Sequence, residues 1–66
     1  MTNPVIAHIQ AAAESMRKAV GASLDESNAA YAKGDHRLGN IYADVSQSAG
    51  FKYRRLKTLA DNLNAT

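Results

Sequence analysis

The five residues Ala32-Lys33-Gly34-Asp35-His36 read as a helix stop followed at once by a helix start. Glycine alone takes the left-handed conformation just past a helix end without a Cβ penalty, and a lysine in the last turn suits the negative end of the helix. An aspartate immediately after it can accept from the free amide donors of a new helix. The stretch lies near the midpoint of the 66-residue chain, and apolar residues keep helical spacing on both sides of it. The spacing predicts an all-α chain: a helix over residues 4–33, a turn at 34–35 and a helix over 36–63, folded into an antiparallel two-helix hairpin that forms one domain.

Upstream, Asn3-Pro4 supplies an N-cap and a proline at the first helical position. Val5, Ile6, Ile9, Ala12, Ala13, Met16, Ala19, Val20, Leu24, Ser27 and Tyr31 then form one stripe at helical period. Gly21 allows two readings. Ser23-Leu24-Asp25-Glu26 matches a capping box, which would start a new helix. The stripe runs through Gly21 in phase, however, and that favours one continuous helix. Glu14 and Lys18 are spaced for an i,i+4 ion pair. Ala7, Ala11, Ala22, Ala29 and Ala32 crowd the opposite face, either as good helix formers or as a second contact face.

Downstream, Leu38, Tyr42, Val45, Ala49, Tyr53, Leu56, Leu59 and Leu63 make the matching stripe, widened by Ile41 and Ala60. Gly50 interrupts its composition without shifting its phase. Folding at Gly34-Asp35 sets Tyr31 against Leu38, Leu24 against Val45, Val20 against Ala49, Met16 against Tyr53 and Ile9 near Leu59. The expected core and dimer residues are therefore Ile9, Met16, Val20, Leu24, Tyr31, Leu38, Tyr42, Val45, Tyr53, Leu56 and Leu59. A domain this small is marginal alone, and the chain has no cysteine to staple it. Two hairpins pairing as a homodimeric four-helix bundle would cover the apolar stripes.

Composition narrows the chemistry. With no cysteine and only His8 and His36, no close metal-ligand spacing occurs, so no metal, cofactor or catalytic residue is expected. Gly34-Asp35-His36-Arg37-Leu38-Gly39 has the glycine spacing of a phosphate loop. Asn40-Ile41 stands where that loop needs Lys and Ser/Thr, so the match is rejected. No apolar run is long enough for a membrane span, and Met-Thr-Asn-Pro lacks the features of a signal peptide. A cytoplasmic protein without a membrane partner is the expectation.

The formal charge is +2, and it resides in the second half. Four cations fall within Phe51-Lys52-Tyr53-Arg54-Arg55-Leu56-Lys57. On a continuous helix Phe51, Arg54 and Arg55 face away from the core. Arginine and aromatic residues suit a protein-binding anchor, and they suit RNA through phosphate contact and base stacking. The alternative is that Gly50 breaks the helix and Phe51 tucks under the bend. Phe51, Arg54, Arg55 and Lys52 are the candidate partner-binding residues. His36 and Arg37 at the hairpin tip join them, unless the tip is merely solvated.

A cysteine-free, alanine-rich hairpin with Met-Thr-Asn at its start, the Lys33-Gly34-Asp35 turn and the basic Tyr53-Arg54-Arg55-Leu56 helix resembles the small host-takeover proteins of bacteriophages. It is most similar to the helical quorum-sensing anti-activators of Pseudomonas phages. That resemblance implies a helical dimer that inhibits a host LuxR-type transcription regulator by occupancy, with the ATPase of pilus assembly as a further target. Two other readings stay open. One is a small RNA-binding bundle, similar in architecture to small plasmid RNA-pairing regulators, with nucleic acid ranked behind protein as the partner. The other is a structural assembly piece.

Overall fold

The fold is a helical hairpin, seen in a computed structural model that describes residues 3–66. Met1 and Thr2, which belong to the phage resemblance, lie outside the described residues. Helix α1 spans Pro4–Ala32 and helix α2 spans His36–Asn64, 29 residues each, and no strand occurs among the described residues. Both helices are unbroken, so neither Gly21 nor Gly50 ends one. The molecule is a rod of 52 × 13 × 10 Å.

The ends are set by local chemistry. The Asn3 side chain accepts from the Val5 amide at 2.9 Å, and Pro4 follows at the first helical position. At the turn Lys33 is the last residue of helical conformation and Gly34 takes φ +82°. The Gly34 amide donates to the Tyr31 carbonyl and the Asp35 amide to the Ala30 carbonyl, both at 2.9 Å. This is the Schellman pattern that satisfies the last carbonyls of a helix. Asp35 also caps α2, its carboxylate accepting from the Leu38 amide at 3.1 Å. One residue thus closes α1 and opens α2, leaving no slack in the connection.

The inward positions run down α1 as Ile6, Ile9, Ala13, Met16, Val20, Ser23, Ser27 and Ala30. They return along α2 as Gly39, Tyr42, Ser46, Ala49, Tyr53, Leu56, Ala60 and Leu63. Steps of three and four alternate throughout, as in a coiled-coil seam. The buried members are small: among the described residues the buried hydrophobic ones are Ala13, Ala30, Ala49 and Ala60. Ser23, Ser27, Ser46 and Gly39 complete the closest part of the seam.

Two serines tie the helices together. The Ser27 hydroxyl donates to the Gly39 carbonyl at 2.8 Å, and the Ser46 hydroxyl donates to the Val20 carbonyl at 3.1 Å. No buried side-chain polar atom among the described residues lacks a partner, so the polar seam carries no desolvation penalty from an unmade bond. Gly39 is a second close point. A Cβ there would lie 2.6 Å from the Tyr31 ring, which lies over it while the Tyr31 hydroxyl bonds Asn40.

This seam corrects the expected core. Ile9, Met16, Val20, Tyr42, Tyr53, Leu56 and Leu59 are half-buried, but Leu24, Tyr31, Leu38 and Val45 are 47%, 38%, 39% and 46% exposed. Each of these four stands one residue from an inward position: beside Ser23, Ala30, Gly39 and Ser46. The pairs Tyr31–Leu38 and Leu24–Val45 are therefore not the ones in the seam. Small side chains let the helix axes approach, and close approach lets two hydroxyls reach backbone carbonyls; Leu or Tyr in place of Ser23, Ala30, Gly39 or Ser46 would hold the helices apart there. Glu14 is a further correction. It pairs with Arg17 rather than Lys18, through bonds of 2.6 and 3.0 Å that use the guanidinium fork. The hydrogen bond from Arg17 holds the Glu14 carboxyl below the usual carboxylate range.

Gly21 lies mid-helix on the exposed side, and a Cβ added there would meet nothing within 4 Å. Gly21→Ala is accordingly expected to stabilise the fold by about 1 kcal/mol, the helix-propensity difference. A thermal melt followed by circular dichroism should show a midpoint raised by about 5 °C for a chain of this size. A lowered midpoint would mean that Gly21 serves a contact absent from the single hairpin.

Candidate protein-interaction surface

The half-buried seam leaves two unlike side faces. One is polar: Gln10, Glu14, Tyr53, Lys57 and Asp61 border a shallow pocket there, with the Lys57 ammonium 5.8 Å from the Tyr53 ring centroid. Leu24 and Tyr31 follow Gln10 on this side, fourteen and twenty-one residues on. The other face is apolar. Two adjoining grooves run along it, bordered by Ala12, Met16 and Ala19 of α1 and by Ile41, Val45, Ala49 and Leu56 of α2. Ser15, Asp44, Ser48, Lys52 and Arg55 are its polar members.

The candidate binding residues separate onto different surfaces. Phe51 is 57% exposed on the outer side of α2, and the Arg54 guanidinium lies 5.0 Å from its ring centroid. Phe51 does not tuck under a bend, because α2 continues through Gly50, whose added Cβ would make only an ordinary 3.8 Å contact with Val20. The stacked guanidinium orders the ring and leaves one of its faces covered by a cation. Thr58 donates back to the Arg54 carbonyl at 3.0 Å, one turn further on. Lys52 and Arg55 lie instead at the edge of the apolar grooves. Lys57 belongs to the polar face. The cationic cluster of the sequence is thus spread around the helix rather than gathered into one stripe.

His36 and Arg37 are exposed at the hairpin tip. The His36 ring sits 5.8 Å from the Tyr31 ring at a tilt of 46°. Fifteen residues separate His36 from Phe51 on one straight helix, about 22 Å at 1.5 Å per residue, so tip and basic face are separate surfaces. Ile41, Ala12 and Ala19 line the grooves and are absent from the site expected on sequence. The signal was present: α2 carries a second alternation of three and four steps through Leu38, Ile41, Val45, Ser48, Lys52, Arg55 and Leu59.

Among the described residues no three His, Cys, Asp or Glu side chains converge on a common point. No described helix is long and apolar enough to cross a membrane. No family model, curated protein or solved structure matches the chain.

Proposed function

We propose that this chain is a non-enzymatic protein-binding module that self-associates through its apolar side face and acts on another protein by occupancy. The observation that carries the reading is the Phe51–Arg54 pair: a large ring and a guanidinium held together in water on a rigid helix. Aromatic and arginine side chains are over-represented among the few residues that dominate binding energy, and a continuous helix presents them with little ordering entropy to lose. Arg55 and Lys52 extend the cationic rim, and His36 with Arg37 offers a second contact at the tip. Following the phage resemblance, the proposed target is a host LuxR-type transcription regulator, with the pilus-assembly ATPase as a further one.

The test uses a purified LuxR-type regulator titrated with wild-type chain and with a Phe51→Ala/Arg54→Ala variant. The variant should retain its helical circular dichroism and bind about a hundredfold more weakly, the sum of two anchors of roughly 1–2 kcal/mol each. Equal affinity for both would remove Phe51 and Arg54 from the binding site. An RNA-binding bundle is the competing reading, and it makes a different prediction: affinity for RNA should fall by orders of magnitude between low and physiological salt.

A further inference from the structure

We infer that the apolar side face is covered by a second copy of this chain, packed about a two-fold axis that crosses the helices between Ser48 and Ala49 of α2. This rests on the self-association reading above and adds which face is used and how the copies are turned.

Three observations converge on it. The first is area. The hairpin exposes 4875 Å², whereas a compact chain of 7.1 kDa exposes about 4100 Å². The excess of about 800 Å², spread over the 52 × 13 × 10 Å rod, is of the size of one partner's share of a standard-size interface. The second is shape. On α2 the residues facing α1 and those facing the groove lie roughly 90° apart, as two neighbours in a square four-helix bundle require.

The third is self-complementarity. An isologous contact must match a surface with itself turned end for end. Turning α2 about the Ser48–Ala49 midpoint sets Leu38 against the second copy's Leu59, and Ile41 against its Leu56. Small Ser48 and Ala49 fall at the crossing, where the helices come closest. The rotation sets Val45 against the second copy's Lys52; Asp44 is the next residue to Val45, with Arg55 one turn further on, so opposite charges come near each other twice. At the same height on α1 the axis passes between Val20 and Gly21. It then brings the groove residues Ala12 and Ala19 to the height of the second copy's Ala29 and Ala22, so small side chains of α1 meet there. The other symmetric packing, with its axis along the helices, would place Glu26 beside the second copy's Asp44, two like charges. The transverse axis avoids that contact.

The wild-type chain should sediment as a dimer at micromolar concentration. Asp44→Lys and Lys52→Asp should each weaken dimerisation by about a hundredfold, because each sets like charges together at two symmetric positions. The double swap, Asp44→Lys with Lys52→Asp, should restore it. Both positions are exposed in the hairpin, and circular dichroism checks that the helices persist. A Ser48→Cys variant of this cysteine-free chain should form an intermolecular disulfide under mild oxidation. Gln47→Cys, off the groove, should not. A wild-type monomer at high micromolar concentration overturns both self-association and this geometry. A wild-type dimer that tolerates the single charge reversals and forms no Ser48→Cys cross-link overturns this geometry alone.

Discussion

Ala30→Leu is expected to lower the stability of the hairpin by about 3 kcal/mol, the upper end of what overpacking a well-packed site does. Ala30 is 5% exposed and lies in the seam between two fixed points. On one side Ser27 holds the Gly39 carbonyl at 2.8 Å, and on the other the Tyr31 ring rests on Gly39 itself. Three added carbons have no free volume unless the helices separate. Separation there would strain the 2.9 Å bond from the Asp35 amide to the Ala30 carbonyl, which closes the turn. Similar substitutions near the open end, at Ala60, should be milder, since the helix termini can splay without breaking a cap. Urea denaturation would report the effect as a lowered midpoint with an unchanged slope. An unaltered midpoint for Ala30→Leu would mean that the helices are not held at close approach beside the turn.

Gly34→Val should destabilise by about 2 kcal/mol, the penalty of the left-handed region for an L-residue, felt most by a β-branched one. Gly34 has open space around it, so the loss comes wholly from φ +82°. If the valine variant relieved its strain by moving φ, the two backbone bonds of the Schellman turn would go with it. The same measurement on Gly21→Ala should move the opposite way, since Gly21 is helical and unobstructed. Two open glycines with opposite signs isolate backbone conformation from packing. A Gly34→Val midpoint equal to that of the parent would show that the turn does not need a left-handed residue.

These two variants also mark where local reading ends. The turn was legible because its determinants are adjacent in the chain: a carbonyl-satisfying glycine and a capping aspartate act over four or five residues. The same holds for Asn3-Pro4 and for the continuity of both helices. The outward placement of Phe51 with Arg54 was also legible, because three residues on a helix bring side chains to one face. The route of the second groove was present in the spacing of Ile41, Val45, Ser48 and Lys52, but the larger apolar stripe beside it masked the signal. The Glu14 partner was not legible. Arg17 and Lys18 are both within reach on a helix, and the choice depends on side-chain geometry.

The sequence by itself therefore determined the elements, their ends and the direction of the return helix. Only the tertiary structure decided how each helix is rotated about its own axis. Leu24 and Ser23, or Leu38 and Gly39, belong to overlapping stripes of the same period, and period alone cannot say which faces the neighbour. Closest approach decides it, and that depends on the side chains of both helices at once. Alanine and serine on both, with Gly39 on α2, let the backbones come near enough for Ser27 and Ser46 to reach across. Leu24, Tyr31, Leu38 and Val45 are thereby turned to the sides of the rod, and Leu38, Ile41 and Val45 become surface available for association.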